Sequence, residues 1–487
     1  MSHSHLSQIY RPDFGLLTDF YQLTMAQGYF KQGLHKRKSI FNLFYRKPPF
    51  GGDFALFCGL PLVVDFLARL QFSVQDIQFL GRQKGADGKA LFDERFLHYL
   101  QRLKFSGQVF AAGEGEVIYP HEPMLRIEAN LLEAQLIETA LLTMVNFSSL
   151  VATKAARIKT AAGPNSQVLE FGLRRAQGID GGLTASRAAY LGGCDGTSNV
   201  WAGRYYDIPL AGTHAHSWIM VFPEEIEAFR AYAESLPNNA TLLVDTYDTI
   251  AGVKNAITIG ELLAEKGHKL LGIRLDSGDL EDLSKKARHM LDKAGFTDTK
   301  IVASNDLDEY AIGSLRAQGA PITVWGVGTR LASCYDQPAL GGVYKLSAIE
   351  DEHGKWQPKV KRSEQAIKTS NPGRLQIRRY FDESGSPIAS QLYDELLGEP
   401  EPTLLLSNKQ AGTPEGKIDI SARGSTTKKD ILRQYIRDGQ LISELDDLSA
   451  ARAYAQKTYA RYLANKNLLN GFSLSLIDQK LSLIKRR

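Results

Sequence analysis

Apolar positions recur along this chain in more than one rhythm, and each rhythm predicts a different kind of element. Over residues 15–27 a capping position, Thr18 or Asp19, is followed by apolar side chains at helical spacing, which predicts an early helix. The runs 41–45 and 54–57 read as strands joined through residues 47–53, whose prolines and glycines mark a turn. Short alternating runs at 107–119 and 124–129 predict further antiparallel strands. Then Leu132, Leu136, Ile137, Ala140, Leu141, Met144 and Val145 share one helical face, with Glu133 and Glu138 placed to face away. The first region therefore reads as α+β.

From Val168 the rhythm becomes strand, polar loop, helix, repeated. Apolar runs begin near Val168, Ile208, Leu242, Leu270, Ile301 and Ile322, with helices predicted over Glu224–Leu236, Thr249–Lys266, Leu280–Ala294 and Asp308–Gln318 and a short element near Gly193–Thr197. The intervals leave room for the crossover that parallel strands need. Each run ends in groups able to bind or react: Glu170 to Arg175, Gly212 to His216, Asp245 to Asp248, Arg274 to Asp279, Ser304 to Asp306, and Gly326 to Thr329. A β/α barrel brings such ends to one face and is favoured; a doubly wound open sheet would gather fewer loops at one point. After Tyr344 the rhythm stops. Residues 359–362 and 368–374 enclose a turn, 376–381 resume strand-like alternation that could rejoin the first sheet, and the chain from roughly Asp430 reads as helical, most clearly over 449–466.

Composition narrows the class without naming a chemistry. At 487 residues, 43% apolar and 23% charged, the chain is long enough for two or more domains and is not a disordered polymer. A net charge of +4 gives no reason to expect nucleic acid or membrane as a partner. Cys58, Cys194 and Cys334 form no CxxC pair, and no run approaches a bilayer span of about 20 apolar residues, so a cytoplasmic location is expected.

The chemistry concentrates at the strand ends. His214 and His216 admit three readings: a metal-binding pair, as in barrel metallohydrolases; two hydrogen-bonded structural rings; or a nucleophile or acid/base, since an imidazole keeps a neutral nitrogen near pH 7. Gly326, Gly328 and Thr329 would let backbone N–H groups and a hydroxyl approach an anion, helped by a following helix and by Arg174, Arg175 and Arg274 on the same face. Arg274 can grip a carboxylate or phosphate, while Asp276 and Asp279 can bind sugar hydroxyls or Mg²⁺. Either role competes with a local salt-bridge network. On physics alone Tyr21 reads as ordinary core packing.

Taken in order, residues 16–22, 168–177, 212–217, 274–279, 304–306, 326–329 and 337–341 resemble the nicotinate phosphoribosyltransferase family over nearly the whole chain. The resemblance implies an α/β fold: an irregular β/α barrel (166–345) with an α/β sandwich domain formed from N-terminal (1–165) and C-terminal (346–487) segments. It implies a homodimer with shared active sites. The implied reaction joins nicotinate to 5-phosphoribosyl 1-diphosphate, giving nicotinate mononucleotide and diphosphate in NAD biosynthesis, with Mg²⁺ and with ATP as co-substrate. On the matching positions, His216 is the histidine phosphorylated by ATP, and Thr213 and Arg274 contact nicotinate. Tyr21 stacks on the pyridine ring, reaching the neighbouring subunit's site. Gly326, Gly328 and Thr329 hold the ribose 5-phosphate; Arg174, Asp276 and Ser277 complete the substrate-binding set, and Asp279 meets Mg²⁺ carried by the diphosphate. No role attaches to His214. Nicotinamide in place of nicotinate is the neighbouring alternative.

Overall fold

The computed structural model describes residues 14–361, 364–365, 368–400, 403–405, 417–419, 427–464 and 475–478. These fall into two compact units, one within Met1–Ser149 and Ala339–Arg487 and the other Leu150–Pro338.

The first unit is built on a seven-stranded sheet with Lys38–Tyr45 near its middle, antiparallel to Gly342–Glu350 on one side and to Leu125–Asn130 on the other. All of that central strand after Lys38 is buried, so both faces are covered and its run of Ile, Phe and Leu need not alternate with polar residues. Its one side-chain amide donates inside: Asn42 Nδ2 donates to Ser347 Oγ at 2.8 Å, and Ser347 Oγ donates to the Ile40 carbonyl at 3.1 Å, while the buried Asn42 Oδ1 has no hydrogen-bond partner among the described residues. The early helix forms over Phe20–Lys31 with Asp19 at its N-cap, but the Asp19 carboxylate accepts the Thr139 hydroxyl at 2.7 Å instead of capping the helix N–H groups.

Four expectations for this unit need correcting. The apolar face at 132–145 is carried by two helices, Leu131–Leu136 and Glu138–Ala162, broken at Ile137. Glu133 does not face away: it is buried, and accepts the Ser106 N–H at 2.8 Å and the Asn130 amide at 2.6 Å. Leu375–Phe381 does not rejoin the first sheet; it pairs with Pro387–Asp394 and Thr427–Asp430 in a separate six-stranded sheet. The return is made by Arg433–Arg437, antiparallel to Gln108–Ala111, so residues just after 430 are strand where helix was expected. The helix that follows is Leu448–Ala464; Lys466 and Arg362, at the ends of two expected segments, lie outside the described residues.

The second unit carries a six-stranded, wholly parallel sheet in the order Gly196–Thr197, Gln167–Glu170, Val324–Val327, Lys300–Ala303, Gly272–Leu275, Thr241–Leu243. Four helices, Glu225–Ser235, Thr249–Glu265, Leu280–Lys293 and Glu309–Ala317, fall where periodicity placed them. Side-chain caps start three of them: Asp248 accepts from the Ala251 N–H, Asp279 from Glu281 and Asp282, and Asp308 from Tyr310 and Ala311. The run at Ile208 forms no strand, only a single parallel bridge between Thr197 and Leu210. The ladder among the described residues is therefore a mixed α/β parallel sheet, not a continuously closed barrel.

Candidate active site

The reactive groups of the second unit meet around Arg274, the next-to-last residue of the strand Gly272–Leu275, with its side chain mostly covered. Its Nε donates to Ser304 Oγ at 2.8 Å, Nη1 to Thr213 Oγ1 at 3.0 Å and Nη2 to Asp276 Oδ1 at 2.9 Å. A guanidinium has five N–H donors, so two remain for a ligand. Its Cζ lies 6.0 Å from the centre of the Phe171 ring, which sets an aromatic face beside the cation.

Asp276 is the hub on the acidic side. Burial alone would raise its pKa, but the hydrogen bond from Ser304 and the charge of Arg274 outweigh burial and hold the carboxyl below its ordinary value. Its backbone N–H and the Ser277 hydroxyl both donate to Asp245 Oδ2, each at 2.7 Å. Asp245 Oδ1 is buried with no hydrogen-bond partner among the described residues. Asn305 and Asp306, directly after Ser304, both adopt left-handed backbone (φ 85° and 44°), a conformation that Asn and Asp tolerate better than other residues with side chains.

His216 opens the short helix His216–Met220 rather than continuing a strand. Its Nδ1 lies 3.1 Å from Thr246 Oγ1 and its Nε2 lies 3.7 Å from Asp276 Oδ2, so the ring is held between a hydroxyl and an ionised carboxylate. His214 is turned inward and buried, its Nε2 accepting the Leu243 N–H at 3.2 Å. The two imidazoles thus face different partners, which leaves the shared-metal reading of the pair without support. Among the described residues no group of three or more His, Cys, Asp or Glu side chains is arranged to hold a metal ion.

Other expected residues take varied places. Thr213 and Ser277 join the cluster directly. Arg174 stands exposed on the one-turn helix Leu173–Arg175 and makes none of the Arg274 contacts. A Cβ at Gly326 would lie 2.8 Å from the Phe171 ring, so this glycine makes room for that ring; Gly328 precedes a helix of only four residues, Thr329–Ala332, whose dipole is correspondingly slight. Asp279 uses Oδ1 to cap the Leu280–Lys293 helix. Tyr21 belongs to the first unit, where its ring is about half exposed rather than packed in the core; the neighbouring Gln22 is buried and donates to Glu138 at 2.9 Å.

Glu170, Phe171 and Thr246 lie inside strand-end segments that the sequence marked as reactive, but none of the three was given a role there. Glu170 is buried at a strand end and accepts hydroxyls from Ser186 at 2.8 Å and Thr197 at 2.6 Å, as well as the Gly172 N–H, which fixes the turn leading to Arg174. Their position at or just past a strand end was the available signal.

The comparisons with known proteins agree with this geometry. Residues 16–146 match the nicotinate phosphoribosyltransferase (NAPRTase) N-terminal domain, and residues 166–384 match the nicotinate phosphoribosyltransferase (NAPRTase) family. The nicotinate phosphoribosyltransferase of Bacillus subtilis (strain 168) is 47% identical over 390 residues, covering 79% of this chain and 77% of the relative. The chain belongs to the nicotinate phosphoribosyltransferase family. The crystal structure of human nicotinic acid phosphoribosyltransferase superposes with a TM-score of 0.82 at 32% identity, covering 96% of this chain and 99% of the human one. A nicotinate-nucleotide pyrophosphorylase from Pyrococcus furiosus, at 21% identity and a TM-score of 0.72 over 95% of this chain and 99% of its own, shares the fold. No helix among the described residues is long and apolar enough to cross a membrane.

Proposed function

We infer that this chain joins nicotinate to 5-phosphoribosyl 1-diphosphate, releasing diphosphate and forming nicotinate mononucleotide for NAD biosynthesis. The observation that carries the reading is the Arg274 cluster in a chain of this family: a guanidinium with two N–H groups to spare, beside an aromatic ring. Nicotinate is flat and anionic, and a forked cation beside a ring face suits it better than it suits neutral nicotinamide. In the reaction the pyridine nitrogen forms a bond to the anomeric carbon as the bond to diphosphate breaks. No protein base is needed, so the chain's work is to orient the two substrates and to stabilise developing charge.

We assign Arg174, Thr329 and the Gly326 to Gly328 turn to the phosphates, and Asp276 and Ser277 to the ribosyl donor. Mg²⁺ fits Asp245, whose Oδ1 is an orphaned buried acceptor, with Asp279 in the loop after the neighbouring strand; a magnesium ion bound with the diphosphate would neutralise its charge. ATP coupling follows from His216: a neutral imidazole nitrogen accepts the terminal phosphoryl group of ATP, ADP departs, and Asp276 offsets the positive charge left on the ring.

The parallel sheet supports the irregular barrel. Strand Val324–Val327 returns to pair with Gln167–Glu170, so the order is cyclic except between Leu210 and Thr241. A homodimer is supported by exposed Val200, Trp201, Tyr205, Met220 and Val221, large apolar side chains of the kind that mark association surfaces, and the exposed Tyr21 ring fits delivery to a neighbouring subunit's nicotinate. Three buried cysteines without disulfides suit a cytoplasmic location.

The test is product analysis with nicotinate, 5-phosphoribosyl 1-diphosphate and Mg²⁺, with and without ATP, for the wild type and for His216→Ala. The expected result is nicotinate mononucleotide from both proteins, with ATP stimulating only the wild type. ATP stimulation persisting in His216→Ala would contradict the phosphoryl-acceptor assignment, and no nucleotide from either protein would contradict the whole reading.

A further inference from the structure

His214 is the histidine to which this reaction gives no role. Its ring is 7% exposed, packed 4.7 Å edge-on to Tyr232 and 6.2 Å from Phe229 between centroids. What it touches is the edge of the parallel sheet. Thr241–Leu243 is the last strand in the ladder, with a neighbour only on the Gly272–Leu275 side. The adjacent Val244 N–H donates to Arg274 O at 3.2 Å on that side, whereas the Leu243 N–H is taken by the His214 imidazole. A buried backbone N–H at a sheet edge would otherwise lack an acceptor, which destabilises the fold.

The same two stretches meet a second time. Three residues past Leu243, the Thr246 hydroxyl meets His216 Nδ1 at 3.1 Å. The loop that carries His216 is thus tied to one strand end by two rungs, His214 to Leu243 and His216 to Thr246. Between them, Arg274 holds the preceding residue, Thr213.

We propose that His214 is a positioning residue for His216: its imidazole stands in for the strand pairing missing between Leu210 and Thr241, and so fixes the His216 ring between Thr246 and Asp276. This rests on the reading of His216 as the phosphoryl acceptor. The bond to Leu243 requires Nε2 to be unprotonated, hence a neutral ring carrying its proton on Nδ1. Burial holds the His214 pKa down to about 4, against a backbone hydrogen bond at Ala215 that works the other way and with the charges of Arg274 and His216 assisting. The ring therefore stays an acceptor at neutral pH. Glutamine, whose side-chain oxygen has a similar reach, can replace that acceptor; leucine cannot.

The experiment measures incorporation of label from γ-phosphate-labelled ATP into wild type, His214→Leu, His214→Gln and His216→Ala, alongside turnover with and without ATP. His214→Leu is expected to lose labelling rate by about tenfold or more, with a far smaller loss of ATP-free turnover, and His214→Gln to recover most of the labelling. Labelling of His214→Leu at the wild-type rate would overturn the proposal, as would equal losses in ATP-dependent labelling and ATP-free turnover. An unlabelled wild type, or a labelled His216→Ala, would instead remove the reading of His216 and this proposal with it. Should His214→Leu fail to fold, ¹⁵N spectra of histidine-labelled wild type decide: an unprotonated His214 Nε2 coupled to the Leu243 amide supports the role, and a protonated Nε2 refutes it.

Discussion

At the scale of single residues the site is a set of charges that restrain one another. Arg274 keeps Asp276 ionised, Asp276 faces His216, and Arg274 and His216 help keep His214 neutral. This gives a pH signature. The His214 pKa is about 4 in the folded chain against an ordinary 6.5, so between those values the unfolded chain binds more protons. The stabilising contribution is complete above pH 6.5 and is lost as pH falls toward 4, by roughly 3 kcal/mol at about 1.4 kcal/mol per pH unit. Denaturant titrations of wild type and His214→Gln at pH 7.5 and pH 5 should show the wild type losing the more stability; parallel losses would contradict a buried neutral ring. Thr213, Arg274, Asp276 and Ser277 were legible because hydroxyls, carboxylates and a guanidinium beside a predicted strand end have few other reasons to be there. Phe171 and Thr246 were not, because an aromatic or hydroxyl residue has many uses and only the register of the strands decides what it faces.

At the scale of elements the βα repeat was written plainly in the chain. Helices on the parallel sheet came within about two residues of their expected ends, since capping aspartates and apolar periodicity both mark them. The first region was harder to read. Glu133 is buried because Ser106 and Asn130, distant in sequence or on the adjoining strand, supply its hydrogen bonds, and no local pattern announces such partners. Residues 433–437 were misread as helix because the strand depends on a partner at 108–111, more than 300 residues earlier. Close packing of the repeat also has a sharp requirement. In the Thr249–Glu265 helix, a Cβ on Gly252 would lie 2.1 Å from the Val244 carbonyl oxygen, just where the chain leaves the strand for Asp245 and Thr246. Gly252→Ala should therefore cost about 1–3 kcal/mol and lower the melting temperature, although alanine is the better helix former. An unchanged or raised melting temperature in a thermal scan would contradict this packing.

At the scale of the whole molecule, a β-rich unit drawn from the segments before and after the βα unit accompanies that unit, which holds the Arg274 and His216 cluster. The βα unit's parallel sheet ends at Thr241–Leu243, and His214 sits at the gap left where Ile208–Leu210 forms no strand. Periodicity foretold the strands around it but not the gap, because Ile208 to Leu210 is apolar enough for a strand and only geometry reduces it to one bridge. This framework is proposed to select nicotinate through Arg274. The most direct measurement is competition between nicotinate and nicotinamide at equal concentration, with 5-phosphoribosyl 1-diphosphate, Mg²⁺ and ATP, reading both mononucleotides. Nicotinate mononucleotide should exceed the amide product by at least about a hundredfold, and Arg274→Gln should shrink that ratio by about tenfold or more. Equal products, or a preference for nicotinamide, would contradict the account.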